Sequence, residues 1–237
     1  MTVILHIESA TKPCSVALSK GEELLFFRMN DQAYSHSVQL GLFVDEALSF
    51  AGQQGLPLDA VSVSGGPGSY TGLRIGVSMA KGICYGYGIP LIAISTLRIL
   101  AGQVVGEADE NTLLCPALDA RRMEIYTAVY DHLGKELLPA GAVVLEENSF
   151  EELFPEKTLC FFGDGAKKCT EKLRRASVCS RGALVPRARE MVLPALEAFR
   201  SGRFEKTAYF EPNYLKEFQA TVPRKLDRLI GKIDSKA

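Results

Sequence analysis

Apolar positions in the first hundred residues switch between a strand-like and a helix-like period, and each switch marks an element. Val3 to Glu8 is a short apolar run that predicts a buried strand; Cys14–Ser19 and Glu23–Met29 follow with Gly21 at the turn, a hairpin. From about Ser37 to Ala51 the period lengthens. Leu40, Phe43, Val44, Ala47, Leu48 and Ala51 recur at helical spacing, and Gly52 with Gly55-Leu56-Pro57 ends the helix. Then come a strand at Ala60–Ser64, a helix over about Thr71–Tyr87, and a strand at Leu91–Ile94 after Pro90. A third helix starts at Thr96 with Ser95 as its cap. The order is βββαβα.

The polar stretch Gly106–Asn111 predicts a boundary, with one lobe over 1–106 and a second over 107–237. Strands open the second half again, at Thr112–Leu118, Glu124–Tyr130 and, past Leu133-Gly134, Lys135–Val144. A short helix is expected at Glu151–Phe154 and a strand at Thr158–Phe162. Gly163-Asp164-Gly165 then leads into a helix ending near Arg174. Arg187–Arg200 reads as a last helix, broken or restarted at Pro194 and free to return to the first lobe. The mixed-charge tail from Arg224 reads as an exposed helix or a disordered end, and no internal repeat stands out.

Composition narrows the class rather than the function. The 237 residues are 47% hydrophobic and 23% charged, an ordinary globular balance. A net charge of -1 supplies no global field to recruit nucleic acid. Cys14, Cys84, Cys115, Cys160, Cys169 and Cys179 form no Cys-x-x-Cys pair and mostly lie in apolar runs, so buried free thiols are expected. Val3–Ile7 is too short for a signal peptide and no run approaches a membrane span, which fits a cytoplasmic setting.

The candidate chemistry lies in Gly65-Gly66-Pro67-Gly68-Ser69-Tyr70-Thr71-Gly72-Leu73-Arg74-Ile75-Gly76. Strand, glycine turn and helix start is how α/β proteins build anion sites. Yet no Lys follows a final Gly as in a P-loop, and Thr71 holds the third glycine position of the dinucleotide fingerprint. Glycine in a helix costs about 1 kcal/mol relative to alanine, so Gly72, Gly76, Gly82 and Gly86 imply a compensating close contact. That contact is either with this chain's own core or with a second subunit.

As a longer string, Gly-Pro-Gly-Ser-Tyr-Thr-Gly-Leu-Arg-Ile-Gly resembles the hallmark of the bacterial TsaB (YeaZ) family, whose members partner the enzyme that makes threonylcarbamoyladenosine in tRNA. Asp119-Ala120-Arg121 and Pro212-Asn213-Tyr214-Leu215 also resemble family patterns, with Lys216 where Arg is usual. The resemblance implies a two-lobed α/β fold of the actin/Hsp70/sugar-kinase type. It implies a scaffold with no activity of its own that binds a TsaD-like catalytic subunit. A TsaE-like ATPase is a further partner that the resemblance implies, two copies of the chain are expected to pair when the partner is absent, and tRNA is expected to be reached chiefly through the partner.

The face implied for the partner is Leu40, Phe43, Val44, Ala47, Gly72, Gly76, Met79, Ala80, Ile83 and Tyr87. Ser9, Thr11, Gly66, Gly68, Ser69 and Arg74 are the candidate contacts for ATP or ADP at the subunit interface, with no tightly bound cofactor expected. The competing class is an enzyme acting alone, an ATPase or kinase of this fold or an M22-type metallopeptidase. Against it, Glu8 replaces the usual Asp at the first turn, and Lys12-Pro13 replaces glycine there. The TsaD-type metal pair His-x-x-x-His becomes His36 with Leu40, and a helix turn carrying one imidazole and one leucine cannot chelate.

Overall fold

A computed structural model describes residues 1–31, 36–174, 176–178 and 184–215, with the backbone alone at 36, 37 and 176–178. The first sheet runs β3-β2-β1-β4-β5, built from β1 (Val3–Glu8), β2 (Cys14–Lys20), β3 (Glu23–Asn30), β4 (Ala60–Ser64) and β5 (Leu91–Ile94). β1 pairs antiparallel with β2 and parallel with β4, so the two strands at the sheet's centre are buried along their whole length. Helices α1 (His36–Gln53) and α2 (Tyr70–Tyr87) cover one face around Leu5, Val16, Leu40, Val44, Val63 and Val77. α2 starts where Ser69 accepts from the Gly72 amide, and ends at Gly88, whose left-handed φ of 66° closes the cap.

The second sheet repeats the first. Read from the other edge it runs β8-β7-β6-β9-β10, from β6 (Thr112–Asp119), β7 (Glu124–Tyr130), β8 (Glu136–Val144), β9 (Thr158–Phe162) and β10 (Ala176–Val178). Its helical cover is thinner. The expected helix at Glu151–Phe154 is a series of turns, with Phe150 in the left-handed region at φ 71°. The helix after β9, α4, is only Ala166–Lys172. β10 was not foreseen from the sequence.

Two elements join the halves. α3 (Thr96–Ala101) places Leu97, Leu100 and Ala101 against Leu114, Leu118 and Tyr130 of the second sheet. A 3-10 turn at Ala188–Met191 and helix α5 (Val192–Arg200) return to the bare face of the first sheet, burying Ile4, Ala17, Ala60, Ile92 and Ile94 under Ala188, Met191 and Ala195. Pro194 sits in the first turn of α5, where its missing amide costs no hydrogen bond. Cys14, Cys84, Cys115, Cys160 and Cys169 are buried free thiols, as expected; Cys179 and the tail beyond Leu215 lie outside the described residues.

Candidate functional site

The first turn after β1 and the glycine turn after β4 close on each other. Ser69 N–H donates to the Ala10 carbonyl at 2.6 Å, and Ser9 Oγ donates to the Gly72 carbonyl at 2.8 Å. A methyl group at Gly68 would stand 2.3 Å from Ala10 O, at Gly72 2.1 Å from Ser9 O, and at Gly76 2.2 Å from Ser9 Oγ. The glycines therefore admit the chain's own backbone at close range.

Glu8 heads the turn, fully buried, with Oε1 accepting the Ala10 amide at 2.6 Å. Burial pushes its carboxyl up to about 7, against the pull of the Ala10 hydrogen bond. Among the described residues Oε2 makes no close hydrogen bond, although the Ser64 hydroxyl lies near enough to pull the same pKa down. Two residues earlier, His6 is held between Ser62 Oγ at 2.7 Å and Ser19 Oγ at 2.8 Å, and burial drives its pKa down to about 3.

A strap formed by residues 205–215 crosses the outside of the glycine turn. Asn213 N–H donates to Gly65 O at 2.7 Å, and Lys81 Nζ donates to the carbonyls of Ala208 and Phe210. Tyr214 stacks on Tyr70 with centroids 5.0 Å apart. Arg74 lies over the Tyr70 ring at 4.2 Å and donates to Tyr214 Oη at 3.2 Å. The Pro212-Asn213-Tyr214-Leu215 pattern marks the end of this strap in the sequence, but its partners, more than a hundred residues away, are not readable from it.

The structure places the expected site residues as follows. Leu40, Val44, Ala47, Gly72, Gly76 and Ala80, expected at a partner face, are buried in this chain, with Leu40, Val44, Ala47 and Ala80 in the core under its own first sheet. Phe43, Met79 and Ile83 are half-buried at the edge of that core, and Tyr87 is exposed. Among the expected nucleotide contacts, Ser9 and Gly66 are buried, and the approach to Gly68 is filled by Ala10. Thr11 is half-buried, its hydroxyl without a partner. Ser69 and Arg74 stay exposed.

The second lobe carries the matching turn. Asp119 ends β6, and its Oδ1 accepts the Arg121 amide at 2.6 Å and Lys168 Nζ at 2.7 Å. Burial raises its pKa, but the Lys168 ammonium and the Arg121 amide outweigh that and hold the carboxyl below its ordinary range. Asp164, from Gly163-Asp164-Gly165, accepts the Asp119 amide at 2.9 Å; burial raises its pKa. As in the first lobe, the glycines admit backbone: a methyl group at Gly163 would stand 2.4 Å from Ala117 O. Among the described residues no three His, Cys, Asp or Glu side chains gather as a metal-ligand set, and the His36 side chain lies outside them.

Fold and turns together define a two-lobed chain of the actin/Hsp70/sugar-kinase type whose first turn and glycine turn pack backbone against backbone. A family model described as "TsaD: tRNA N6-adenosine threonylcarbamoyltransferase" matches residues 30–223, and the chain belongs to this family, in its TsaB (YeaZ) branch. It is similar to the "tRNA threonylcarbamoyladenosine biosynthesis protein TsaB" of Escherichia coli (strain K12), 29% identical over 225 residues that cover 90% of this chain and 94% of that protein. The Bacillus subtilis (strain 168) protein of the same description is 31% identical over 157 residues, covering 65% of this chain and 66% of its own. Among solved structures, YeaZ from Pseudomonas aeruginosa superposes with a TM-score of 0.76 at 25% identity, over 91% of this chain and 100% of that one.

Proposed function

We propose that this chain is a non-catalytic accessory subunit that binds a TsaD-type enzyme and is required for N6-threonylcarbamoylation of adenosine 37 in tRNA. The observation that carries this is the match of residues 30–223 to the TsaD-type family model, together with similarity to a TsaB protein over 90% of this chain. The tight packing of Gly68 and Gly72 on Ala10 and Ser9, which makes the glycine turn part of the chain's own core, is in keeping with it. Among the described residues no helix is long and apolar enough to cross a membrane.

The partner surface in this reading is the outer side of α1 and α2. It is made of Phe43, Met79, Ile83 and Tyr87, extended by the exposed Leu42 and Tyr85, rather than of the inward glycine face. The same surface would pair two copies when the partner is absent, and a TsaE-like ATPase would join the assembled pair. A nucleotide at the contact would have to lie outside the closed turn, beside Ser69 and Arg74.

The test is reconstitution. Purified chain, TsaD-type enzyme, adenylate-forming enzyme and unmodified tRNA are combined, and modified adenosine is measured. Product that needs both proteins supports the reading, and Tyr85→Arg with Ile83→Arg should abolish both co-elution and product. Product formed equally well without this chain would sink it.

A further inference from the structure

The turn between β6 and β7 holds two arginines in a conformation that arginine disfavours. Arg121 has φ 66° and Arg122 φ 49°, side by side in the left-handed region. Ala120 pairs with Glu124 across a three-residue loop, and left-handed positions in such loops favour glycine, asparagine and aspartate. The sequence places none of these there, so local preference does not explain the choice.

The surrounding network is built to hold this backbone. Asp119 captures the Arg121 amide, the Glu124 amide donates to Arg121 O at 3.2 Å, and the Ala120 amide donates to Glu124 O at 3.2 Å. Lys168 Nζ donates to the Arg122 carbonyl, to Glu124 O and to Asp119. Asp164 holds the Asp119 amide from below. Both arginine side chains, by contrast, are exposed, and among the described residues neither makes an ion pair. Arg121 lies near Asp119 and Tyr126, but burial sets the raised pKa of Tyr126, and Asp119 is already paired with Lys168. Strained backbone that is over-determined by its neighbours is a mark of a functional position.

We propose that Arg121 and Arg122 form a phosphate-gripping tip that takes the sugar–phosphate backbone of RNA. This rests on the accessory reading above and adds to it a direct contact, where the sequence pointed to tRNA chiefly through the partner. The guanidinium fork suits bidentate contact with phosphate oxygens. The half-exposed Met123 beside it supplies an apolar edge for a ribose. With a net charge of only -1 the chain has no long-range attraction for RNA, so a local pair of forks is the means left to it.

The experiment titrates an unmodified tRNA transcript into the chain, alone and assembled with the TsaD-type enzyme, between about 50 and 200 mM salt. The double variant Arg121→Asn with Arg122→Gly suits the left-handed turn, so its melting temperature should rise. RNA affinity should fall about tenfold and the log–log salt slope should become shallower by about 1 to 2. Co-elution with the TsaD-type enzyme should not change. The variant Arg121→Lys with Arg122→Lys keeps the charge and the wild-type salt slope but loses part of the affinity. Unchanged affinity and slope, or no RNA binding by the wild-type assembly, would overturn the proposal. So would a fall in melting temperature, which would make the arginines structural, or loss of co-elution with RNA binding intact, which would make them a protein contact. The accessory reading fails separately, through product that does not need this chain.

Discussion

The two lobes end their first strands on a carboxylate, and each carboxylate accepts the amide two residues on, at 2.6 Å in both cases. Beyond that they diverge. Glu8 is fully buried, and burial biases it toward the protonated form. The Asp119 side chain is 43% exposed, paired with Lys168, and biased toward the ionised form. One turn has been sealed against its neighbour and the other left open with two arginines at its tip. The same strand-end carboxylate serves as core in one lobe and as surface in the other. Solvent access and one lysine decide which.

The strongest way to break that comparison is to force the sealed turn apart. Gly72→Ala puts a carbon 2.1 Å from the Ser9 carbonyl, and backbone cannot rotate away. A loss of about 3 kcal/mol or more is expected in urea unfolding. An unfolding midpoint equal to wild type would mean the turn is not closed in solution.

Next in size is Glu8→Gln. The carboxyl goes from 4.5 unfolded to about 7 folded, so between these values the folded chain holds more protons and stability falls as pH rises. His6 works the other way: its pKa drops from 6.5 to about 3, so stability rises with pH across that span. Between 4.5 and 6.5 the two oppose each other along one strand. Glu8→Gln should remove the falling limb, so that stability climbs up to about pH 6.5. The variant should exceed wild type at pH 8 by on the order of 3 kcal/mol. Chemical denaturation from pH 4 to 8 measures both limbs; parallel curves would refute the assignment.

Smaller still is Lys168→Met, which sharpens the contrast from the open side. Because Asp119 is half in solvent, a cost of only about 1 kcal/mol is expected at pH 7. The depressed Asp119 pKa makes its contribution one that is present above the ordinary value of 3.8 and lost as pH falls below it. The difference between wild type and variant should therefore shrink in acid. The smallest effect is expected at Gly82 and Gly86, which meet nothing within 4 Å, unlike Gly72 and Gly76 in the same helix. Changing either to alanine should raise stability by up to about 1 kcal/mol. A loss instead would reveal a close neighbour on that face.

The first lobe was legible almost element by element, because β1, β4 and α1 differ sharply in period and are bounded by glycine and proline. The second was less so: β10 is three residues long, and the apolar residues around Phe150 and Phe154 look helical until a left-handed backbone breaks them. The inward turn of Gly72, Gly76 and Ala80 was open for a plain reason. A smooth helix face looks the same in sequence whether the backbone it admits belongs to the same chain or to another. Nor does anything local announce Arg121 and Arg122 as left-handed. Their restraint comes from Asp119 two residues away and from Lys168 more than forty residues on.

The return of the chain to its first sheet sets the order in which a nascent polypeptide can finish folding. Ile4, Ala17, Ala60 and Ile92 leave the ribosome early, but Ala188, Met191 and Ala195 emerge about a hundred residues later. At roughly 5 to 20 residues per second, that half-made surface stays open for on the order of 5 to 20 seconds in every round of translation. The first lobe therefore matures only once the second has been synthesised, and a ribosome stalled near the lobe junction would display an apolar sheet face fit for chaperone capture.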